Sequence, residues 1–157
     1  MIVALPTLAL GQAADSTVRA RITMERKGCP MVFSCPIYSL TLESDGTVEF
    51  EGKEHVRAKG AHKKKIEAAA VEELARRFET IHYFELPDRI ISCTDTSLVV
   101  TSVSLGSQSH QVSHWECGSD PSLTVLEDEI DRISNSKLWI RGRLRLWSHW
   151  PWFHSRS

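Results

Sequence analysis

At 157 residues, with 41% apolar and 25% charged side chains, the chain has the length and core-forming material of one globular domain, which excludes whole-chain disorder. Its formal net charge of −1 supplies no field that would draw the whole molecule to nucleic acid. No apolar run approaches the ~18 residues of a transmembrane helix.

The first residues read as a leader. Residues 2–10 form an apolar stretch, and Gly11 and Ala13 supply small residues at −3 and −1 of a cleavage after Ala13. No Lys or Arg precedes Arg19, so the usual basic start is missing. Residues 1–14 are therefore assigned to a signal or leader remnant, residues 17–137 to a single domain and residues 138–157 to a tail. An even cysteine count agrees with export to the periplasm or the exterior, where disulfides persist.

Residues 18–25 alternate strictly, with Val18, Ala20, Ile22 and Met24 on one side and Arg19, Arg21, Thr23 and Glu25 on the other. This predicts a half-buried strand. A cysteine loop, 28–36, follows. A second strand is predicted over 37–42, with Tyr38, Leu40 and Leu42 on one face. Ser44-Asp45-Gly46 turns the chain, and 47–52 returns with Val48 and Phe50 inward. Residues 53–65 read as a polar, basic connection containing Lys63, Lys64 and Lys65. Apolar residues at helical spacing from Ile66 to Ile81 predict an amphipathic helix without a good N-cap. After a loop over 88–96, a β-branched run over 98–105 and its return over 108–115 predict a hairpin. Asp120-Pro121 then opens a second helix whose buried stripe is Leu123, Leu126, Ile130 and Ile133.

The expected class is α+β: an antiparallel sheet of about five strands with two helices on one face, in the order βββαββα. The tail stands apart. Every acid lies at or before Asp131, whereas residues 141–157 hold four arginines and no acid, and 138–157 contains four of the five tryptophans. It reads first as a poorly ordered extension, with membrane-surface contact through 139–152 as the functional alternative.

Four cysteines allow three pairings, and local geometry favours Cys29 with Cys35 and Cys93 with Cys117. In the chain-entropy model these would contribute roughly 2.4 and 3.5 kcal/mol. A catalytic dithiol usually has two intervening residues at a helix N-terminus. Cys29 and Cys35 have five and precede a strand. His110, His114 and Cys117 have the look of metal ligands, but on a strand the histidines lie about 13 Å apart. They read as exposed sheet histidines, with a structural metal site at His114 and Cys117 as an alternative.

Residues 22–26, Cys35-Pro36-Ile37-Tyr38, Asp45-Gly46-Thr47-Val48, Thr94-Asp95 and 126–131 together resemble a family of small bacterial domains of unknown function. Its members carry a Cys-Phe-Gly-x-Cys-Pro-x-Tyr loop followed by an Asp-Gly-Thr hairpin. The resemblance covers roughly residues 20–140 and implies export, since such domains often follow a leader. Here five residues lie between the loop cysteines rather than three, and the family's loop glycine is absent.

No nucleophile, phosphate-loop or zinc-protease motif is present in the sequence. Asp95, shared with the family, reads as an Asx turn before the next strand, and Tyr38 as a packed aromatic with a bonded hydroxyl. Glu127, Asp128, Glu129 and Asp131 read as a solvated helix face. The functional expectation is an exported, disulfide-stapled binding or structural domain. It needs no cofactor or nucleic acid and meets an unknown protein or small ligand on the outer sheet face with the 53–65 loop. The alternatives are a thiol or acid–base enzyme using Cys29 and Cys35 or Asp95, and the His114/Cys117 metal domain.

Overall fold

A computed structural model describes residues 19–29, 35–91, 96–117 and 120–141. The leader, Cys93 and Asp95, the tip of the cysteine loop and the tail beyond Arg141 lie outside the described residues.

The chain is α+β, as the alternation of elements implied, but the sheet has seven strands rather than five. Strands β1 (Ala20–Lys27), β2 (Ile37–Glu43), β3 (Thr47–Glu54) and β4 (Gly60–Lys65) form an antiparallel meander. Helix α1 (Ala68–Thr80) follows, then a 3-10 turn (Tyr83–Glu85) and a two-residue strand, β5 (Arg89–Ile90). Strands β6 (Leu98–Leu105) and β7 (Gln108–Trp115) form a hairpin, and helices α2 (Pro121–Ile133) and α3 (Lys137–Ile140) close the fold. The strand order is β4-β3-β2-β1-β6-β7-β5, antiparallel except where β5 runs parallel to β7.

The two missed strands have a common cause. β4 reads Gly-Ala-His-Lys-Lys-Lys and carries no large aliphatic residue, so it gives no apolar alternation. It pairs with β3 at the sheet edge, where lysines also discourage pairing with another chain. β5 is too short to show any period. The expected 53–65 loop is thus the end of β3, a tight connection and β4.

Ala20, Ile22 and Met24 of β1, Leu40 and Leu42 of β2, and Val48 and Phe50 of β3 occupy one face of the sheet. Val99, Val103 and Leu105 of β6 and Val112 of β7 continue it, and all are buried. Val71, Leu74 and Phe78 of α1 and Leu123, Leu126 and Ile130 of α2 cover that face. Asp120 caps α2 by accepting from the Ser122 amide at 2.7 Å, with Pro121 at the first turn, as its sequence predicted.

The β2–β3 turn has no room for a side chain. Gly46 has φ of +80°, and a Cβ there would stand 2.2 Å from the Ile66 carbonyl oxygen. Its own carbonyl accepts from the Ile66 amide at 2.9 Å, which ties the start of α1 to the hairpin.

The first residues of the expected tail belong to the body of the fold. Trp139 stacks on Phe50 at 4.9 Å, and the Lys64 ammonium lies 5.0 Å from its ring. The carbonyls of Trp139 and Ile140 accept from the amides of Ala58 and Arg57 at 2.9 and 3.1 Å. The C-terminal end of α3 is therefore closed by the β3–β4 connection.

Candidate functional site

The strand registers place a row of side chains across one end of the core face. Arg26 on β1 pairs with Tyr38 on β2 and with Val99 on β6, and Val99 pairs with His114 on β7. Arg26 holds the inward phase of the Ala20–Ile22–Met24 stripe, so the strand period aims a guanidinium where an apolar side chain would otherwise sit. Helix α2 lies over this row. Its Glu127 and Asp131, one turn apart, meet His114 and Arg26 respectively.

Asp131 is the hub of the first cluster. It accepts from Arg26 Nη2 at 3.0 Å, from the Tyr38 hydroxyl at 2.8 Å and from the Ser136 hydroxyl at 2.5 Å. Arg26 Nε also donates to the Tyr38 oxygen at 3.0 Å, and Nη1 pairs with Glu116. Asp128 stands 3.7 Å from Nη2. The Arg26 and Asp131 side chains are only 13% and 15% exposed, so their attraction is little screened. Burial opposes the charge on Arg26, but Tyr38, Asp131 and Glu116 outweigh it and hold the guanidinium above its ordinary value. Burial first, then the charge of Asp131, pushes the Tyr38 phenol far above its usual range against the pull of Arg26. Tyr38 is accordingly a neutral donor that stays protonated near neutral pH.

The second cluster lies within the core. His114 is 1% exposed, and its Nε2 faces both Glu127 oxygens at 2.9 Å while Nδ1 faces the Trp115 carbonyl at 3.2 Å. Thr101 donates to Glu127 at 2.6 Å, and the Tyr83 hydroxyl donates to the Thr101 carbonyl at 2.5 Å. Burial would lower the His114 value, but the bond to Glu127 and its charge raise it. His110 is half-buried, with Nε2 at 2.8 Å from the Leu86 carbonyl.

Several sequence expectations change here. His110 and His114 share a face, but it is the core face, and neither is an exposed sheet histidine. Glu127 and Asp131 leave the expected solvated helix face, whereas Asp128, 75% exposed, stays on it. Both His114 nitrogens are engaged, which removes the histidine from the metal alternative. Among the described residues no group of three His, Cys, Asp or Glu is placed to hold a metal ion.

Cys29 and Cys35 form a disulfide with Cα atoms 5.7 Å apart. Cys117 is disulfide-bonded too, while the Cys93 half of the expected pair lies outside the described residues. Cys29 Sγ sits 3.2 Å from the buried Ser97 hydroxyl.

Beside the bridge, the Arg26–Tyr38–Asp131 cluster opens into a cleft of about 680 Å³. Cys35, Pro36 and Ser97 line one side and Asp128, Ser136, Lys137, Ile140 and Arg141 the other. Of the expected site residues, the structure brings Tyr38 and Cys35 to this cleft. Arg26, Asp131, Ser136 and Lys137 escaped the sequence reading. The signal for the first two was a charge on the inward phase of an otherwise apolar stripe.

The outer sheet face is quieter. Its charges pair laterally, Arg21 with Glu43 at 2.6 Å, Lys63 with Glu49 at 2.8 Å and Lys65 with Asp45 at 2.6 Å. Its hydroxyls do likewise, Ser104 with Ser109 at 2.9 Å. No helix among the described residues is long and apolar enough to cross a membrane.

Among curated proteins, none matches the chain. A family model does match, over residues 20–134, from the first strand to the end of α2. The chain therefore belongs to the family described as domain of unknown function DUF6438.

Proposed function

We propose that the domain is a ligand-binding module rather than a catalyst, and that its site is the cleft between the Cys29–Cys35 bridge and α3. The observation that carries this reading is the self-satisfied floor of a cleft of ligand size. Arg26, Tyr38, Asp131 and Ser136 bond one another, and Tyr38 is held neutral, so none is poised as base or nucleophile. A rigid polar floor in a concavity of about 680 Å³ suits recognition. The lateral pairing on the outer sheet face supports moving the expected binding surface from there to the cleft.

The module is further proposed to act outside the cytoplasm of a bacterium. The apolar residues 2–10, the Cys29–Cys35 bridge and the resemblance of the Cys35-Pro36-Ile37-Tyr38 loop to that of exported domains support this. Fusion of residues 1–20 to a reporter active only after export tests the address, and a reporter retained in the cytoplasm would overturn it.

Binding is tested by amide chemical-shift mapping of the full chain against a panel of small polar metabolites. Perturbations are expected at Cys35, Tyr38, Ser97, Ser136 and Ile140. Ligands that map only to the outer sheet face would sink the cleft assignment. A thiol-exchange reading competes, because Cys35 and the Arg26 guanidinium line the same cleft and a cation favours a thiolate. Rapid reduction of the bridge by a physiological dithiol, followed by fast alkylation of Cys35 at neutral pH, would favour that reading instead.

A further inference from the structure

We propose that the cleft takes its ligand by an anionic oxygen group, a carboxylate or a phosphate monoester, held between Lys137 and Arg141. The inference rests on the binding-cleft reading and adds the ligand class.

The charges of the cleft divide into a spent floor and an unspent rim. On the floor, Asp131 receives Arg26, Tyr38 and Ser136, and Glu116 pairs with Arg26. On the rim, Arg132 is held by both oxygens of Glu129, at 2.6 and 2.7 Å. Lys137 and Arg141 line the cleft, are exposed, and make no side-chain hydrogen bond or ion pair among the described residues. Among the described residues they are the two cations of the cleft whose side-chain donors have no partner.

Their placement suits one bridging anion. The Arg141 amide donates to the Lys137 carbonyl at 2.9 Å, so the two lie one helical turn apart. Side chains at that spacing start about 6 Å apart at Cβ and can converge on a single group. The turn that carries them is anchored. Trp139 stacks on Phe50, and the carbonyls of Trp139 and Ile140 are occupied by the amides of Ala58 and Arg57. That capping occupies two of the carbonyl oxygens at the C-terminal end of α3, which lessens their repulsion of an anion. Ile140 and Pro36 give the cleft apolar lining, so the fitting ligand carries carbon beside its charge.

Asp128 is the counterweight. It is exposed, lines the same cleft, and reaches Arg26 only at 3.7 Å. Its field weakens the binding of an anion, so its removal strengthens it. This gives two variants with opposite signs.

The test titrates the full chain with inorganic phosphate in one arm and acetate in the other, at constant ionic strength with chloride as the control. The Ser136 and Lys137 amides and the Arg26 Nε–H are followed by NMR. Saturable shifts are expected with phosphate, acetate or both, and the arms tell which oxyanion the rim prefers. Lys137→Ala/Arg141→Ala, which alters only exposed side chains, is expected to weaken binding about tenfold or more, and Asp128→Asn to tighten it about threefold. Lys53→Ala, an exposed cation outside the cleft, should leave binding unchanged. Shifts equal to those in chloride, or a double variant that binds as the native chain does, would overturn the inference. If a neutral metabolite still maps to the cleft in that case, the binding-module reading survives while the anion assignment falls. If nothing shifts the cleft, both fall.

Discussion

The Arg26–Asp131 pair concentrates most of the domain's unusual electrostatics in one residue contact. Truncating either partner leaves a mostly buried charge with fewer bonds, whereas replacing both removes the need for them. Arg26→Met is expected to cost about 2–3 kcal/mol, below the figure for a fully buried pair because some exposure remains. Tyr38→Phe removes one donor to Asp131 and should cost about 1 kcal/mol. Arg26→Met combined with Asp131→Leu should recover part of the Arg26→Met loss. Urea unfolding of the single and double variants checks all three, and strictly additive losses would deny the coupling. His114 makes a different demand. Burial works against its protonated form, yet Glu127 holds its folded value above 6.5. A raised folded value means that the pair's stabilisation is fully present below about pH 6.5 and is lost as pH rises through the folded value. Stability should therefore fall as pH rises above about 6.5, by up to about 1.4 kcal/mol per pH unit until the folded value is passed. Thermal melts from pH 6 to 9 should show that slope in the native chain and a flatter profile in His114→Gln.

Helix α3 shows what an element gains from its tertiary setting. Four residues are too few to be a stable helix alone, and its formation depends on Trp139 and on the amides of Arg57 and Ala58. Trp139→Ala removes the stack on Phe50 and the contact with Lys64. It is expected to cost about 2–3 kcal/mol. It should also release the turn that carries Lys137 and Arg141. Hydrogen exchange of the Arg57 and Ala58 amides reads this directly, and unchanged protection would mean that α3 holds without its aromatic anchor. The same element marks a limit of sequence reading. β1, β2, β6 and β7 were legible because apolar residues alternate along them, and α2 because Asp120 and Pro121 announce it. β4 and α3 were not, since Lys64, His62 and Trp139 become intelligible only when they meet. The site was half legible for a related reason. Tyr38 and Cys35 stood out as residue types, but Glu127 and Asp131 share a helix with Asp128 and Glu129. Only the rotation of α2 on the sheet separates the inward pair from the outward one.

At the scale of the molecule, one end of the sheet joins three features, of which the first two are neighbours in the chain and the third lies far downstream. These are the Cys29–Cys35 bridge, the Arg26–Tyr38 row and the α2–α3 corner. The rest of the core is apolar apart from the buried His114–Glu127–Thr101 cluster. The β1–β6 pairing, which runs from Ala20 to Arg26 at the centre of the sheet, does not depend on the bridge. Loss of the Cys29–Cys35 bridge alone should thus loosen the cleft without dissolving the fold. A bridge spanning six residues is worth about 2 kcal/mol in the chain-entropy model. For a domain of this size that corresponds to a melting temperature lower by about 4–8 °C. Cys29→Ser/Cys35→Ser should show this fall while keeping the far-ultraviolet signature of the sheet. The Ser97 and Tyr38 amides, which border the bridge, should shift, and those of Val48 and Val103, deep in the core, should not. A double variant that unfolds outright would make the bridge a condition of the whole sheet. The same variant melting like the native chain would make the bridge a bystander, with the cleft held instead by Asp131 and α3.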